Sequence, residues 1–283
     1  MPPVTPPAVA TLAKIGDDER VRGPNHASTT AHAEPDGEAR VALVTGSARR
    51  IGRAIAEAFH ARGLSVVVHY RNSADEAIAL VKRFNSVRHD SARAVRGDLL
   101  DPDDARQLAQ AALAAFGRVD VLVHNASTFY PTPIDDDEHC FERAATDLLG
   151  SNLIGPLRLT RALHHELHQR RGAIVHIVDI HALRPLKRYS LYCAAKAGLW
   201  SLTQSLAREL GPEIRVNGVA PGAILEPEAA VNAGSHEAMI DRTALKRAGL
   251  TSDIAGAVAF LALDAPYITG QVLPVDGGRS ASQ

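Results

Sequence analysis

The chain has 283 residues, 46% hydrophobic and 22% charged, with a formal net charge of −1. Those proportions suit a globular fold with a sizeable core, and the balanced charge leaves no basic footprint for nucleic acid or an anionic membrane surface. No apolar run approaches the roughly 20 residues a membrane helix needs, and the 13 histidines are scattered without an HExxH or Cys/His ligand spacing.

Residues 1–38 are rich in Pro, Ala, Thr and charge with no sustained period, and read as a disordered N-terminal extension. The start lacks a basic segment followed by a long apolar one, so it does not read as a secretory signal. Asp17, Asp18 and Glu19 weigh against a transit peptide. Cys140 and Cys193 form no disulfide framework and suit a reducing compartment, so a cytoplasmic protein is expected.

From residue 39 to residue 283 strand and helix patterns alternate without a further boundary. VALVT is a short β-branched strand. IGRAIAEAFHARG follows as a helix, with Ile51, Ile55 and Phe59 on one stripe and Gly63 at its end. SVVVHY is a second strand, and SADEAIALVKRFN a second helix with Ser73 as its N-cap. ARAVRGD is a third strand. The third helix has Asp101 as N-cap, Pro102 in its first turn and Gly117 at its end. VDVLVHN is the fourth strand, and a long helical region runs from about Glu138 to Gln169. AIVHIVD, a helix from Ser190 to Leu210, IRVNGVA, the helix SDIAGAVAFLAL and the strand QVLPVDGG complete the series. PEAAVNAGSHEAMIDR has little core pattern and reads as a substrate lid. This alternation predicts an α/β domain: a mostly parallel sheet, helices on both faces, one core.

Two stretches carry chemistry. The first is Thr45 to Gly52, a strand, a Gly-containing turn and a helix start. Such a turn presents unpaired N–H groups and a helix dipole to a pyrophosphate. Gly46 and Gly52 occupy the outer positions, and Arg50 stands where a middle glycine is usual. After the second strand the sequence is His69-Tyr70-Arg71-Asn72-Ser73, with no acid until Asp75. An acid there would suit a ribose 2′-OH; a guanidinium and a hydroxyl suit a 2′-phosphate, so NADPH/NADP+ is the expected cofactor. The alternative is a merely solvated Arg71. The second stretch holds Asp179, Tyr192 and Lys196. Tyr192 and Lys196 are four apart, one turn along one helix face. A neighbouring ammonium favours phenolate and is expected to lower the phenol pKa, so that Tyr192 can pass a proton. An isolated YxxxK is more often surface decoration.

Taken together, Gly46 and Gly52, His124-Asn125-Ala126-Ser127, Asn152, Tyr192-x-x-x-Lys196 and Pro221-Gly222 resemble the short-chain dehydrogenase/reductase family over about residues 40–280. The resemblance implies a Rossmann-like, doubly wound, seven-stranded parallel sheet and a homotetramer. It implies a cofactor site of Gly46, Arg50, Ile51, Tyr70, Arg71, Ser73, Asp98, Leu99, Asn125, Ala126, Ser127, Asn152, Lys196, Pro221 and Gly222. In it Asp98 would hold the adenine, Asn152 would support a water path to Lys196, and Lys196 would bind the nicotinamide ribose. The departures are as informative. The position thirteen before Tyr192 is Asp179, where most of the family has Ser. Arg50 replaces the turn glycine, and NASTFYPTP carries Phe129 just past the fourth strand. With RRIGRAIAE and YITGQVLPVDGG, these features are similar to the pteridine reductase branch of the family. That branch implies a pterin or folate substrate bound by Arg50, Ser127, Phe129, Asp179, Tyr192 and Leu225, with Phe129 stacking on the flat ring.

Each reading has a rival. Phe129 could be a core or loop aromatic, Asp179 an ion-pair partner of Arg184 or Lys187, Cys193 a packing residue and His181 a plain loop histidine. The whole chain could instead reduce a carbonyl such as a ketoacyl thioester or sugar, or sense NADPH without turnover.

Overall fold

The computed structural model describes residues 39–224 and 240–281. The expected N-terminal extension, Leu225 and most of the expected lid lie outside the described residues. Strands β1 (Val41–Val44), β2 (Ser65–Tyr70), β3 (Ala92–Arg96), β4 (Val121–His124), β5 (Ala173–Ile177), β6 (Arg215–Pro221) and β7 (Val272–Val275) alternate with helices. The helices are α1 (Arg50–Ala61), α2 (Ala74–Val87), α3 (Pro102–Phe116), α4 (Glu138–Leu149), α5 (Gly155–Gln169), α6 (Ser190–Leu210) and α7 (Thr251–Ala259). The strands form one seven-stranded sheet in the order β3-β2-β1-β4-β5-β6-β7, with every pair parallel. This is the Rossmann-like, doubly wound α/β architecture.

Strands covered on both faces must be apolar throughout, which is why the central ones read as unbroken Val, Leu and Ile runs. Side-chain alternation divides them between two cores. Ala42, Val44, Val66, Val68, Val121 and Val123 meet Ile55 and Phe59 of α1, Leu80 and Phe84 of α2, and Ile254 and Val258 of α7. Val41, Leu43, Val67, Leu122 and Ile174 meet Leu108 of α3, Leu159, Leu163 and Leu167 of α5, and Leu206 of α6. Phe59 and Leu163 are among the side chains wholly shielded from solvent, each contributing about 1.5–3 kcal/mol by burial.

Some helix starts follow local chemistry and others do not. The Asp101 carboxylate accepts the Asp103 and Asp104 N–H groups, capping α3 as expected. Ser73 stands at the N-cap position of α2, but its side chain makes no capping bond. The helical region from Glu138 to Gln169 is interrupted by a wide turn at Gly150–Ile154. Pro156 has no N–H with which to bond the carbonyl four residues earlier. The chain widens instead, and the Gly155 N–H donates to Gly150 O.

β1 continues to β2 and β3 on one side of the sheet, while β4 lies on the other side of β1. A crevice therefore opens beyond the carboxyl ends of β1 and β4, where ligands bind in open parallel sheets.

Candidate active site

The turn after β1 is built from its backbone outward. The buried Thr45 hydroxyl donates to Val123 O at 3.2 Å and accepts the N–H groups of Asn125 and Ala126 at 2.9 and 3.0 Å. The Asn125 amide donates back to the carbonyls of Thr45 and Gly46 at 2.9 and 3.1 Å. The Gly46 N–H donates to His69 Nδ1 at 2.9 Å, and His69 Nε2 lies 3.1 Å from Gly97 O. A backbone N–H can only donate and a carbonyl only accept, so His69 is the neutral tautomer with its proton on Nε2. Burial enforces this, lowering its pKa to about 4. Gly52 is required by close approach: a Cβ there would stand 2.4 Å from both Gly46 O and Asn125 Nδ2. Arg50 keeps a left-handed backbone at φ 53° without being glycine. Such conformations cost of order 1–3 kcal/mol and gather at functional sites.

A cleft of about 420 Å³ opens over this turn, and Gly46, Arg50, Ile51, Tyr70, Arg71, Ser73, Asp98, Leu99, Asn125, Ala126 and Ser127 line it. Much of the cofactor set expected from sequence thus meets in one crevice. The start of α1 opens onto its floor, where unpaired backbone N–H groups and the helix dipole suit an anion such as a pyrophosphate. Arg71 is not simply solvated: Nη1 lies 3.7 Å from Asp98 Oδ1 at the cleft wall. Arg49, Leu100 and Ser151, which the sequence did not single out, also line it.

A second group lies at the ends of β5 and α6. Tyr192 Oη donates to Asp179 Oδ2 at 2.7 Å, while Asp179 Oδ1 accepts the His181 N–H at 2.8 Å. Asp179 is thus held by Tyr192 and a backbone amide. The Arg184 guanidinium donates to Ser280 O, and among the described residues no ion pair joins Asp179 to Arg184 or Lys187. Lys196 Nζ donates to Ile177 O at 2.9 Å and lies 5.7 Å from the centre of the Tyr192 ring. Burial lowers the Lys196 pKa to about 8, against the support of the Asp179 charge. The expected lowering of the phenol is reversed. Burial first, then the Asp179 carboxylate in contact with it, raise Tyr192 well above 10. The carboxylate touches the phenol directly and the ammonium does not, so Tyr192 is a neutral hydroxyl poised to donate.

Phe129 is 53% exposed and belongs to no core cluster. It meets Tyr192 edge-on, with centroids 4.8 Å apart. The Ser127 hydroxyl donates to Asn152 Oδ1 at 2.6 Å, linking the cleft to the wide turn between α4 and α5. The Asn152 amide donates to Thr128 O and Leu148 O at 2.9 and 3.0 Å. Pro221 ends β6, and the Gly222 N–H donates to Val275 O at 3.1 Å; neither lines the cleft, and nor do Asn152, Lys196 and Tyr192. Cys193 packs with Ala144, Leu148 and Tyr192, the packing role expected for it. The His181 ring contacts Arg184 O at 2.9 Å. Thr45 and His69, which the sequence places in these stretches without a role, brace the turn. The signal for His69 was a polar residue in an otherwise apolar strand. No helix among the described residues is long and apolar enough to cross a membrane.

The enoyl-(acyl carrier protein) reductase family model matches residues 46–280. Pteridine reductase 1 of Leishmania tarentolae is 36% identical over 282 residues, covering 87% of this chain and 98% of the relative. A 3-oxoacyl-(acyl-carrier-protein) reductase of Staphylococcus epidermidis is 36% identical over 244 residues, covering 84% and 97%. A granaticin polyketide synthase putative ketoacyl reductase of Streptomyces violaceoruber is 36% identical over 245 residues, covering 85% and 96%. The chain belongs to the short-chain dehydrogenase/reductase family of oxidoreductases.

Proposed function

We propose that this short-chain reductase is a pteridine reductase that uses NADPH to reduce dihydropterins such as dihydrobiopterin or dihydromonapterin, with folate or dihydrofolate as further substrates. Overall identity does not choose among substrates, because a pteridine reductase and two ketoacyl reductases match at 36% alike. The observation that carries the choice is the Asp179 carboxylate 2.7 Å from the Tyr192 hydroxyl. A ketone develops negative charge on oxygen during reduction, and a fixed carboxylate beside it repels that charge. A pterin instead presents ring N–H groups that a carboxylate can accept, and a ring nitrogen that needs a proton.

The cofactor, when bound, supplies hydride to a ring carbon. Tyr192 gives its phenolic proton to the adjacent ring nitrogen, Asp179 orients the hydroxyl and the substrate edge, and Lys196 supplies positive charge beneath them. Gly46, Arg50, Ile51, Leu99, Asn125 and Ala126 hold the pyrophosphate and adenosine side, with Asp98 toward the adenine. Tyr70, Arg71 and Ser73 take the 2′-phosphate, Arg71 leaving its 3.7 Å contact with Asp98. Asn152, Lys196, Pro221 and Gly222 complete the nicotinamide end. Arg50, Ser127, Phe129 and Leu225 border the substrate. Residues 39–283 act as one domain, in a homotetramer and in the reducing cytoplasm that suits two free cysteines.

The test follows NADPH consumption with dihydrobiopterin, dihydromonapterin and dihydrofolate, beside Asp179→Ser and Arg71→Ala variants. Pterin turnover that collapses in Asp179→Ser is expected, and so is a preference for NADPH over NADH that Arg71→Ala erodes. Ketone reduction without pterin turnover, kept or gained in Asp179→Ser, sinks the pterin reading in favour of a carbonyl reductase. Light scattering reports the tetramer.

A further inference from the structure

Phe129 sits on a loop and is 53% exposed, yet its ring is backed. It stacks on Tyr189 with centroids 4.6 Å apart and planes 17° from parallel, while meeting Tyr192 edge-on. The backbone makes the same connection. The Thr132 N–H donates to Arg188 O at 2.6 Å, and Thr132 forms an isolated parallel bridge with Tyr189. Tyr189 packs in turn on the cluster of Ala144, Leu148, Tyr192 and Cys193. The segment entering α6 thus carries the hydroxyl of Tyr192 and, three residues earlier, the ring that supports Phe129.

An unsupported phenyl ring on a loop must be ordered each time a flat ligand settles on it, which weakens binding. A ring already stacked on one face is pre-ordered and offers only its other face. We propose that Tyr189 is a positioning residue that backs Phe129 and so tunes the site for a flat conjugated ring over an aliphatic chain. This rests on the pterin reading above, and it adds the residue that sets ring selectivity. Stacking contributions of ordinary size correspond to about two- to tenfold in affinity.

The experiment uses the full chain loaded with NADP+ and the fluorescent heterocycle pterin as probe. Its Kd is measured for the wild type, Tyr189→Phe, Tyr189→Ala, Phe129→Leu and the Phe129→Leu/Tyr189→Ala pair. kcat and KM are measured with dihydrobiopterin and with an acetoacetyl thioester, and Tm is recorded for each variant. Tyr189→Ala should weaken pterin binding and raise the dihydrobiopterin KM by about two- to tenfold, with kcat changed less. Any thioester KM should stay put, and Tyr189→Phe should restore the wild-type values. In the Phe129→Leu background, Tyr189→Ala should have no further effect, because it acts through Phe129. The proposal is overturned if Tyr189→Ala binds pterin within twofold of wild type, or if its effect persists undiminished without Phe129. Pterin binding that depends on Tyr189 but leads to no turnover rejects the proposed activity and upholds the positioning role. No pterin binding by the wild type overturns both.

Discussion

Replacing His69 by Gln tests the idea that a neutral imidazole pins the cofactor turn. His69 accepts from Gly46 N–H and donates to Gly97 O, and its pKa falls from 6.5 to about 4. The folded state therefore disfavours the proton, and the unfolded chain binds more of it between those two values. The stability from this linkage is complete above the unfolded value and is lost as pH falls toward the folded one. The full shift is worth about 3 kcal/mol, of which about 2 kcal/mol disappears between pH 7 and pH 5. Gln does not titrate, yet its amide can accept at one end and donate at the other. Urea unfolding at the two pH values should show His69→Gln losing about 2 kcal/mol less than wild type on acidification. Affinity for the nicotinamide cofactor near neutrality should change little, since Gln can still accept from Gly46 N–H. An equal loss of stability in both proteins would refute the reasoning and place the acid sensitivity elsewhere.

Three other outcomes are expected. Burial raises Tyr192 and lowers Lys196; Asp179→Asn removes the charge that adds to the first and opposes the second, so both pKa values should fall. The alkaline limb of kcat/KM should then move to lower pH, and an unmoved limb would remove Asp179 from the proton chemistry. Gly52→Ala places a methyl 2.4 Å from Gly46 O, costing about 1–3 kcal/mol in urea unfolding and weakening nicotinamide-cofactor binding at least about tenfold. Wild-type stability and affinity would show that the turn is not fixed by this contact. Asn152→Ala strips partners from Thr128 O and the Ser127 hydroxyl and should cost about 1–3 kcal/mol with a lower kcat. A variant with unchanged stability and turnover would show that the wide turn has no part in the site.

Strand and helix identity were legible because they rest on local pattern. Unbroken Val and Leu runs marked strands buried on both faces, Ile51, Ile55 and Phe59 marked a helix stripe, and Asp101 with Pro102 marked a helix start. The cleft was legible for a related reason. Gly46, Asn125 and Arg71 sit just past the ends of parallel strands, and a parallel sheet gathers those ends along one edge. Of the three features that were not legible, two depended on contacts between segments separated in the chain. Tyr192 has Lys196 as its helix neighbour, so local spacing pointed to a lowered pKa. Folding buries the phenol and brings the Asp179 carboxylate to 2.7 Å, and burial first, then that contact, prevails over an ammonium 5.7 Å from the ring. Ser73 occupies an N-cap position without making the bond. The stacking of Phe129 on Tyr189 joins loops sixty residues apart in sequence, and such pairing exists only once β4, β5 and α6 stand side by side. Propensity and periodicity are written in neighbouring residues; proton affinity and ring orientation answer to whatever the fold sets within a few ångströms.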